Sequence, residues 1–93
     1  MDYYQWNKEK NDRLKEARGI SFERIVMHID QGDVLDLYNH PNVEKYSNQQ
    51  ILVVEIEGYA WLIPFVELDA GRFLKTAMPS RKATRLYLGD SNE

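Results

Sequence analysis

Two apolar runs separated by only two residues constrain this chain more than any other feature. Ile51-Leu52-Val53-Val54-Glu55-Ile56 and Tyr59-Ala60-Trp61-Leu62-Ile63-Pro64-Phe65-Val66 flank Glu57-Gly58. β-Branched and aromatic residues at that density, joined by a two-residue connection, predict a β-hairpin. The second run is apolar on both parities: Tyr59, Trp61, Ile63 and Phe65 on one, Ala60, Leu62 and Val66 on the other. A strand covered on one face alone would alternate with polar residues. Both faces of the hairpin therefore need cover, from other elements of the chain, from a partner, or from both. Pro64 has no N–H to give to a ladder, so a bulge or an unpaired edge is expected there.

The elements upstream can supply one of the two covers. Tyr3 to Trp6 is short and aromatic, as a small strand would be. Asn7 is a good N-cap for a helix from Lys8 to Arg18, which Gly19 ends in the left-handed conformation of a C′ residue. Only Leu14 and Ala17 offer that helix a buried stripe, with Ile20 folding back on Leu14. Ser21 then caps a second helix, with Ile20 and Ile25 placed as a hydrophobic staple. Phe22, Ile25, Val26 and Ile29 recur at helical spacing, and the helix stops at Gly32. Of the two histidines, His28 falls opposite this stripe and is expected at the surface. Asp33 to Tyr38 reads as a strand, followed by a polar loop from Asn39 to Gln50 that carries His40 and Pro41.

Downstream of the hairpin, a turn at Asp69-Ala70-Gly71 leads to a last strand from Arg72 to Met78. Met78 precedes a proline and stays extended, Ser80 is an N-cap, and Gly89 is a C′ residue for a helix that begins at Arg81. The order is β-α-α-β-β-β-β-α, an α+β domain built on a small antiparallel sheet. Residues 1–93 form one domain, with a modest core and no room for a separate cofactor domain.

Charge is distributed unevenly along this order. The chain carries a net charge of -3, yet Arg72, Lys75, Arg81, Lys82 and Arg85 follow one another with no Asp or Glu between residues 72 and 89. Arg81, Arg85 and Lys82 fall within about 100° of arc on the last helix, beside an apolar stripe of Leu86, Ala83 and Tyr87. The helix N-terminus adds oriented N–H groups at the Arg81 end. These features predict a local anion site on an otherwise acidic protein. Each charge alone is also what a solvated surface residue looks like.

Other chemistry is limited by what the chain lacks. With no cysteine there is no disulfide framework, thiolate nucleophile or Cys-ligated metal site. Asp30, Asp33 and Asp36 span a helix end and a strand without a converging third ligand type, so no metal site and no cofactor are expected. No positive n-region leads an apolar stretch at the N-terminus, and no run approaches the ~20 apolar residues of a membrane span. The expectation is a cytoplasmic protein with no membrane segment.

Two segments carry a resemblance to a known family. Trp6-Asn7-Lys8-Glu9-Lys10-Asn11, followed by Arg18-Gly19-Ile20-Ser21-Phe22-Glu23, resembles the opening of BrnT-type toxins. The tail Met78-Pro79-Ser80-Arg81-Lys82-Ala83-Thr84 is similar to that family's closing segment. Arg18 stands where a histidine is usual, and Pro79 and Thr84 depart from the usual tail. The resemblance implies a RelE-like fold and the toxin of a type II toxin–antitoxin pair, a metal-independent ribonuclease. It implies two partners: an RNA substrate, and a cognate DNA-binding antitoxin that silences the toxin in a hetero-oligomer.

Such cleavage needs a base for the 2′-OH, a cation for the pentacovalent phosphorane, and an acid for the leaving 5′-oxygen. Arg81 and Lys75 are the candidates for the cation, since their N–H groups can meet phosphate oxygens. Lys10 is the next candidate, at the position of the family's N-terminal lysine. His40 could serve as base or acid if its loop folds over the basic tail. Lys82, Arg85, Arg72 and Tyr87 are candidates for nucleic-acid contact. Trp6, Tyr59, Trp61 and Phe65 could stack on bases, although core packing is the better reading for at least half of them. The alternative from another class is a non-catalytic module whose basic tail docks a partner protein or nucleic acid.

Overall fold

A computed structural model describes residues 3–89 of the chain. The elements are β1 (Tyr4–Trp6), α1 (Lys8–Arg18), α2 (Phe22–Asp30), β2 (Val34–Asn39), β3 (Gln49–Ile56), β4 (Tyr59–Leu68), β5 (Gly71–Leu74), β6 (Met78–Pro79) and α3 (Arg81–Leu88). The α+β class and the element order agree with expectation, apart from two corrections in the sheet. The strand order is β1-β5-β4-β3-β2, with β6 pairing β4.

The first correction concerns strand direction. The sheet is mixed rather than antiparallel, because β1 runs parallel to β5, with Tyr4, Gln5 and Trp6 opposite Arg72, Phe73 and Leu74. A parallel neighbour needs a crossover, and α1 and α2 are part of it. The chain comes very close to itself at this junction. Gly71 has φ +136°, and a Cβ there would lie 2.5 Å from the Tyr3 carbonyl oxygen. Only glycine lets Arg72 N–H reach that oxygen, at 2.8 Å.

The second correction splits the expected strand from Arg72 to Met78. β5 pairs with Phe65 to Leu68 of β4, and β6 with Trp61 and Leu62. Between the two the register slips by one residue. Pro64 lies opposite this slip, while its pairing with β3 runs without interruption from Gln49↔Val66 to Ile56↔Tyr59. Its carbonyl accepts from Lys75 N–H at 2.8 Å on the β5 side. The proline thus turns its missing donor toward the point where β5 gives way to β6, and the irregularity falls on the neighbouring strand.

Both faces of the hairpin are covered, as the double parity of β4 required. On one face α1 and α2 lay Leu14, Ile20, Phe22 and Ile25 onto Leu52, Val54, Ile56, Ile63, Phe65 and Leu74. On the other face α3 sets Ala83 against Val53 and Ala60, with Leu35, Tyr38, Leu62 and Tyr87 packed around them. The hairpin itself turns through Glu57 at φ +54° and Gly58 at φ +80°, the signs of a type I′ connection.

The caps follow the sequence. Asn7 accepts from Lys10 N–H at 2.9 Å, Ser21 from Arg24 N–H at 3.1 Å, and Ser80 from Ala83 N–H at 3.0 Å. Gly19 takes φ +67° and closes α1 onto Lys15. The buried face of α1 differs from expectation. Ala17 is exposed, and its place is taken by Asn11, the one buried polar residue described. Asn11 Oδ1 accepts from Phe22 N–H at 2.8 Å, and its Nδ2 donates to Glu23 Oε1 at 2.8 Å. One amide therefore ties the middle of α1 to the first turn of α2. His28 is likewise more sheltered than expected, with its Nδ1 2.8 Å from Asp33 Oδ2.

Candidate nucleic-acid interface

Helix α3 is anchored firmly, and the anchoring decides which side chains it presents. Ser80 N–H bonds to Ala60 O at 3.0 Å, and Ala60 N–H returns a bond to Thr84 Oγ1 at 2.9 Å. Thr84 Oγ1 in turn donates to Ser80 O at 2.7 Å. With Ala83 buried against Val53 and Ala60, helical geometry sends Arg81, Lys82 and Arg85 outward, and all three are exposed. Together with Leu86 they line one shallow groove. None of the three enters an ion pair among the described residues. The groove is a concentrated, unneutralised positive surface at a helix N-terminus, chemically suited to phosphate oxygens.

Leu86 belongs to this surface rather than to the core. It is 70 % exposed, while Ala83 and Tyr87 alone form the apolar stripe that faces the sheet. The Tyr87 hydroxyl is engaged within the fold. It donates to Asp36 Oδ2, tying the end of α3 to β2. That bond pushes the phenol up to about 12 and holds the Asp36 carboxyl below its ordinary range. Tyr87 thus also docks the helix that carries the cations.

The remaining candidates are dispersed. Arg72 lies on the face covered by α1 and α2, its guanidinium 5.0 Å from the centre of the Phe65 ring and its Nε 2.8 Å from Glu67 Oε1. Its charge is neutralised and sits across the sheet from α3. Lys10 also belongs to the α1–α2 layer. Lys75 is exposed beside the register slip, with its ammonium 5.7 Å from the Phe73 ring centre. Its N–H bonds Pro64 while Ser80 bonds Ala60. Four residues along β4 put the two anchor points about 13 Å apart. Lys75 and Arg81 therefore start from separate points along the sheet.

His40 is farther still. Its N–H bonds Gln49 O, at the opposite end of β3 from Glu55, which pairs with Ala60 beneath the start of α3. Six residues of strand separate these points by about 20 Å. The imidazole stacks near Tyr46 with ring centres 4.3 Å apart, and its Nδ1 accepts from Asn42 N–H at 3.1 Å. The loop folds on itself and does not fold over the basic tail. Nor do the aspartates gather: Asp33 pairs with His28 and Asp36 with Tyr87. Among the described residues no three His, Asp or Glu side chains come together as metal ligands. None of the helices described is long and apolar enough to cross a membrane.

Sequence reasoning missed a second cationic surface. An open cleft of about 290 Å³ lies where the α1–α2 corner meets the hairpin turn, lined by Arg18, Ile20, Arg24, Glu57, Tyr59 and Trp61. Arg24 pairs with Glu57. The four aromatics considered for stacking divide accordingly. Phe65 is fully buried, and Trp6 stacks on Phe22 with ring centres 5.6 Å apart. Tyr59 and Trp61 are half-buried and open onto the cleft. Arg18 and Arg24 follow no sequence period that links them to the hairpin, so only their position just either side of the Gly19 corner hinted at a shared site.

Compared with known proteins, the chain matches no family model, no curated protein and no solved structure.

Proposed function

We propose that this protein binds RNA through α3 and cleaves it, acting as the ribonuclease toxin of a type II toxin–antitoxin pair with a RelE-like fold. The observation that carries the reading is the groove of Arg81, Lys82 and Arg85, three exposed cations with no carboxylate partner among the described residues of an acidic chain. In this mechanism Arg81 and Arg85, one helical turn apart, hold one phosphate and stabilise the charge of the phosphorane. Lys75 engages the next phosphate along the strand. His40 takes no part in proton transfer at that phosphate, being about 20 Å of strand away. A DNA-binding antitoxin silences the toxin by laying an acidic segment on the same groove, where Leu86 offers an apolar contact beside the charges.

The test is to induce the chain alone in a bacterial host and map new RNA 5′ ends, with Arg81→Ala and Lys75→Ala in parallel. Growth arrest and new ends that vanish in the Arg81 variant support the reading. Soluble protein without arrest or new ends refutes it. The separation of His40 from the cations favours one second reading, a non-catalytic module that holds RNA or an acidic partner on α3. In that case Arg81→Ala weakens binding while no RNA ends appear at all.

A further inference from the structure

We propose that the cleft at the α1–α2 corner is a base-stacking subsite for single-stranded RNA, which reaches it from α3 around the β6 edge of the sheet. This inference rests on the RNA-binding reading above and adds where the strand goes and what recognises a base.

Three observations converge on it. The first is the lining. Tyr59 and Trp61 present two half-buried rings next to two guanidinium groups, and rings with cations are what a nucleotide offers partners for: a π-face and a phosphate. The second is the charge state of the cleft. Glu57 would repel phosphate, but Arg24 is paired to it, which leaves Arg18 as the cation that enters no ion pair among the described residues. The turn that holds Glu57 there places it at φ +54°, a conformation that L-residues with a Cβ seldom adopt. The third is continuity. Ala60 bonds the N-cap of α3 through its backbone while Tyr59 and Trp61, on either side of it, open onto the cleft on the other face. Trp61 is also paired with Pro79 of β6, the residue before that N-cap. The N-terminus of α3 and the aromatic cleft thus lie at one short sheet edge, on opposite faces of the sheet.

Two other surfaces offer less. The cleft near Asn39, Asn48 and Gln50 holds neutral amides with Glu67 already paired to Arg72. The outward N–H of Leu37 on the β2 edge is taken up by Asp36 Oδ1 at 2.7 Å, which blunts that edge as a docking strand.

The chain holds two tryptophans. Trp6 is stacked on Phe22, so Trp6→Phe leaves Trp61 as the only indole. In that background, Trp61 emission and anisotropy are followed as a labelled single-stranded RNA of about eight nucleotides is added, within the ~4–16 nucleotides that small single-strand domains cover. The expected result is quenching of Trp61 on binding. Tyr59→Ala should weaken binding about fivefold or more, the low end of one base–aromatic stack, and Arg18→Ala should weaken it as well. An abasic strand of the same length should bind more weakly and quench nothing. RNA binding that depends on Arg85 but leaves Trp61 emission unchanged, with Arg18→Ala and Tyr59→Ala binding as the parent, overturns the subsite and spares the RNA-binding reading. Equal quenching by the abasic strand also overturns it, since the cleft would then read phosphate alone. No binding of any RNA by the parent overturns both.

Discussion

Asn11→Ala tests the reasoning behind this fold most directly, because one buried amide connects two helices that otherwise share a single glycine corner. The side chain is 4 % exposed and spends both ends of its amide on α2, accepting from Phe22 N–H and donating to Glu23, each at 2.8 Å. Phe22 is the first residue of α2, one of the positions whose N–H has no partner within the helix. Truncation leaves that buried donor unsatisfied, at a cost of about 2 kcal/mol within the usual range of about 1–3. For a domain of this size about 4–8 °C of Tm accompanies each kcal/mol, so the midpoint should fall by about 8–16 °C. Thermal unfolding followed by circular dichroism at pH 7 measures it. A fall below about 3 °C would refute the argument, since Phe22 N–H would then have found another acceptor.

The same substitution carries a pH signature. The Asn11 hydrogen bond is the largest cause holding the Glu23 carboxyl below its ordinary value of 4.5. A depressed carboxyl contributes stability that is complete above pH 4.5 and is lost as pH falls through the lowered folded value. Asn11→Ala should therefore show a smaller loss of stability across that acidic window than the parent. N11D separates the two halves of the amide. It keeps an acceptor for Phe22 N–H but sets a second carboxylate against Glu23, so its deficit at pH 7 should shrink below about pH 4, where one carboxylate takes up a proton.

Three further outcomes are expected. Tyr87→Phe should remove from the ultraviolet titration a phenol that titrates above its ordinary value. In the parent, the contribution of the Tyr87–Asp36 bond is complete below the ordinary phenol value of 10.0, is lost as pH rises toward about 12, and is lost again in acid as Asp36 protonates. Gly71→Ala should destabilise by more than about 1 kcal/mol and loosen β1, because the new Cβ would lie 2.5 Å from Tyr3 O at a φ of +136°; amide exchange at Arg72 reads the loosening, and unchanged protection would refute it. Phe65→Ala, emptying a fully buried ring site between β4 and the helices, should cost about 3–5 kcal/mol in denaturant unfolding.

Much of the local structure was written in short-range chemistry. The Asn7, Ser21 and Ser80 caps, the Gly19 corner, the Phe22–Ile29 stripe and the two-residue hairpin each depend on residues within a turn or two of one another. That is why their helices and strands match the structure within a residue or two. The double apolar parity of β4 likewise announced that both faces of the sheet would be covered. The positive charge of α3 was legible for the same reason, since Arg81, Lys82 and Arg85 share one short helix.

What the sequence by itself determined, then, is the set of elements and the cationic helix. Only the tertiary structure decided how these meet, because sheet order, register and burial arise from contacts between residues distant in the chain. It laid β1 parallel to β5, put a one-residue slip opposite Pro64, and buried Asn11 where Ala17 had been expected. It spent Arg72 on Glu67 and Tyr87 on Asp36, and left His40 at the far end of β3. It also gathered Arg18, Arg24, Tyr59 and Trp61 around one cleft. Nothing local links the α1–α2 corner to the hairpin; the two lie side by side because the apolar stripe of α2 packs across the face of β3 that ends there.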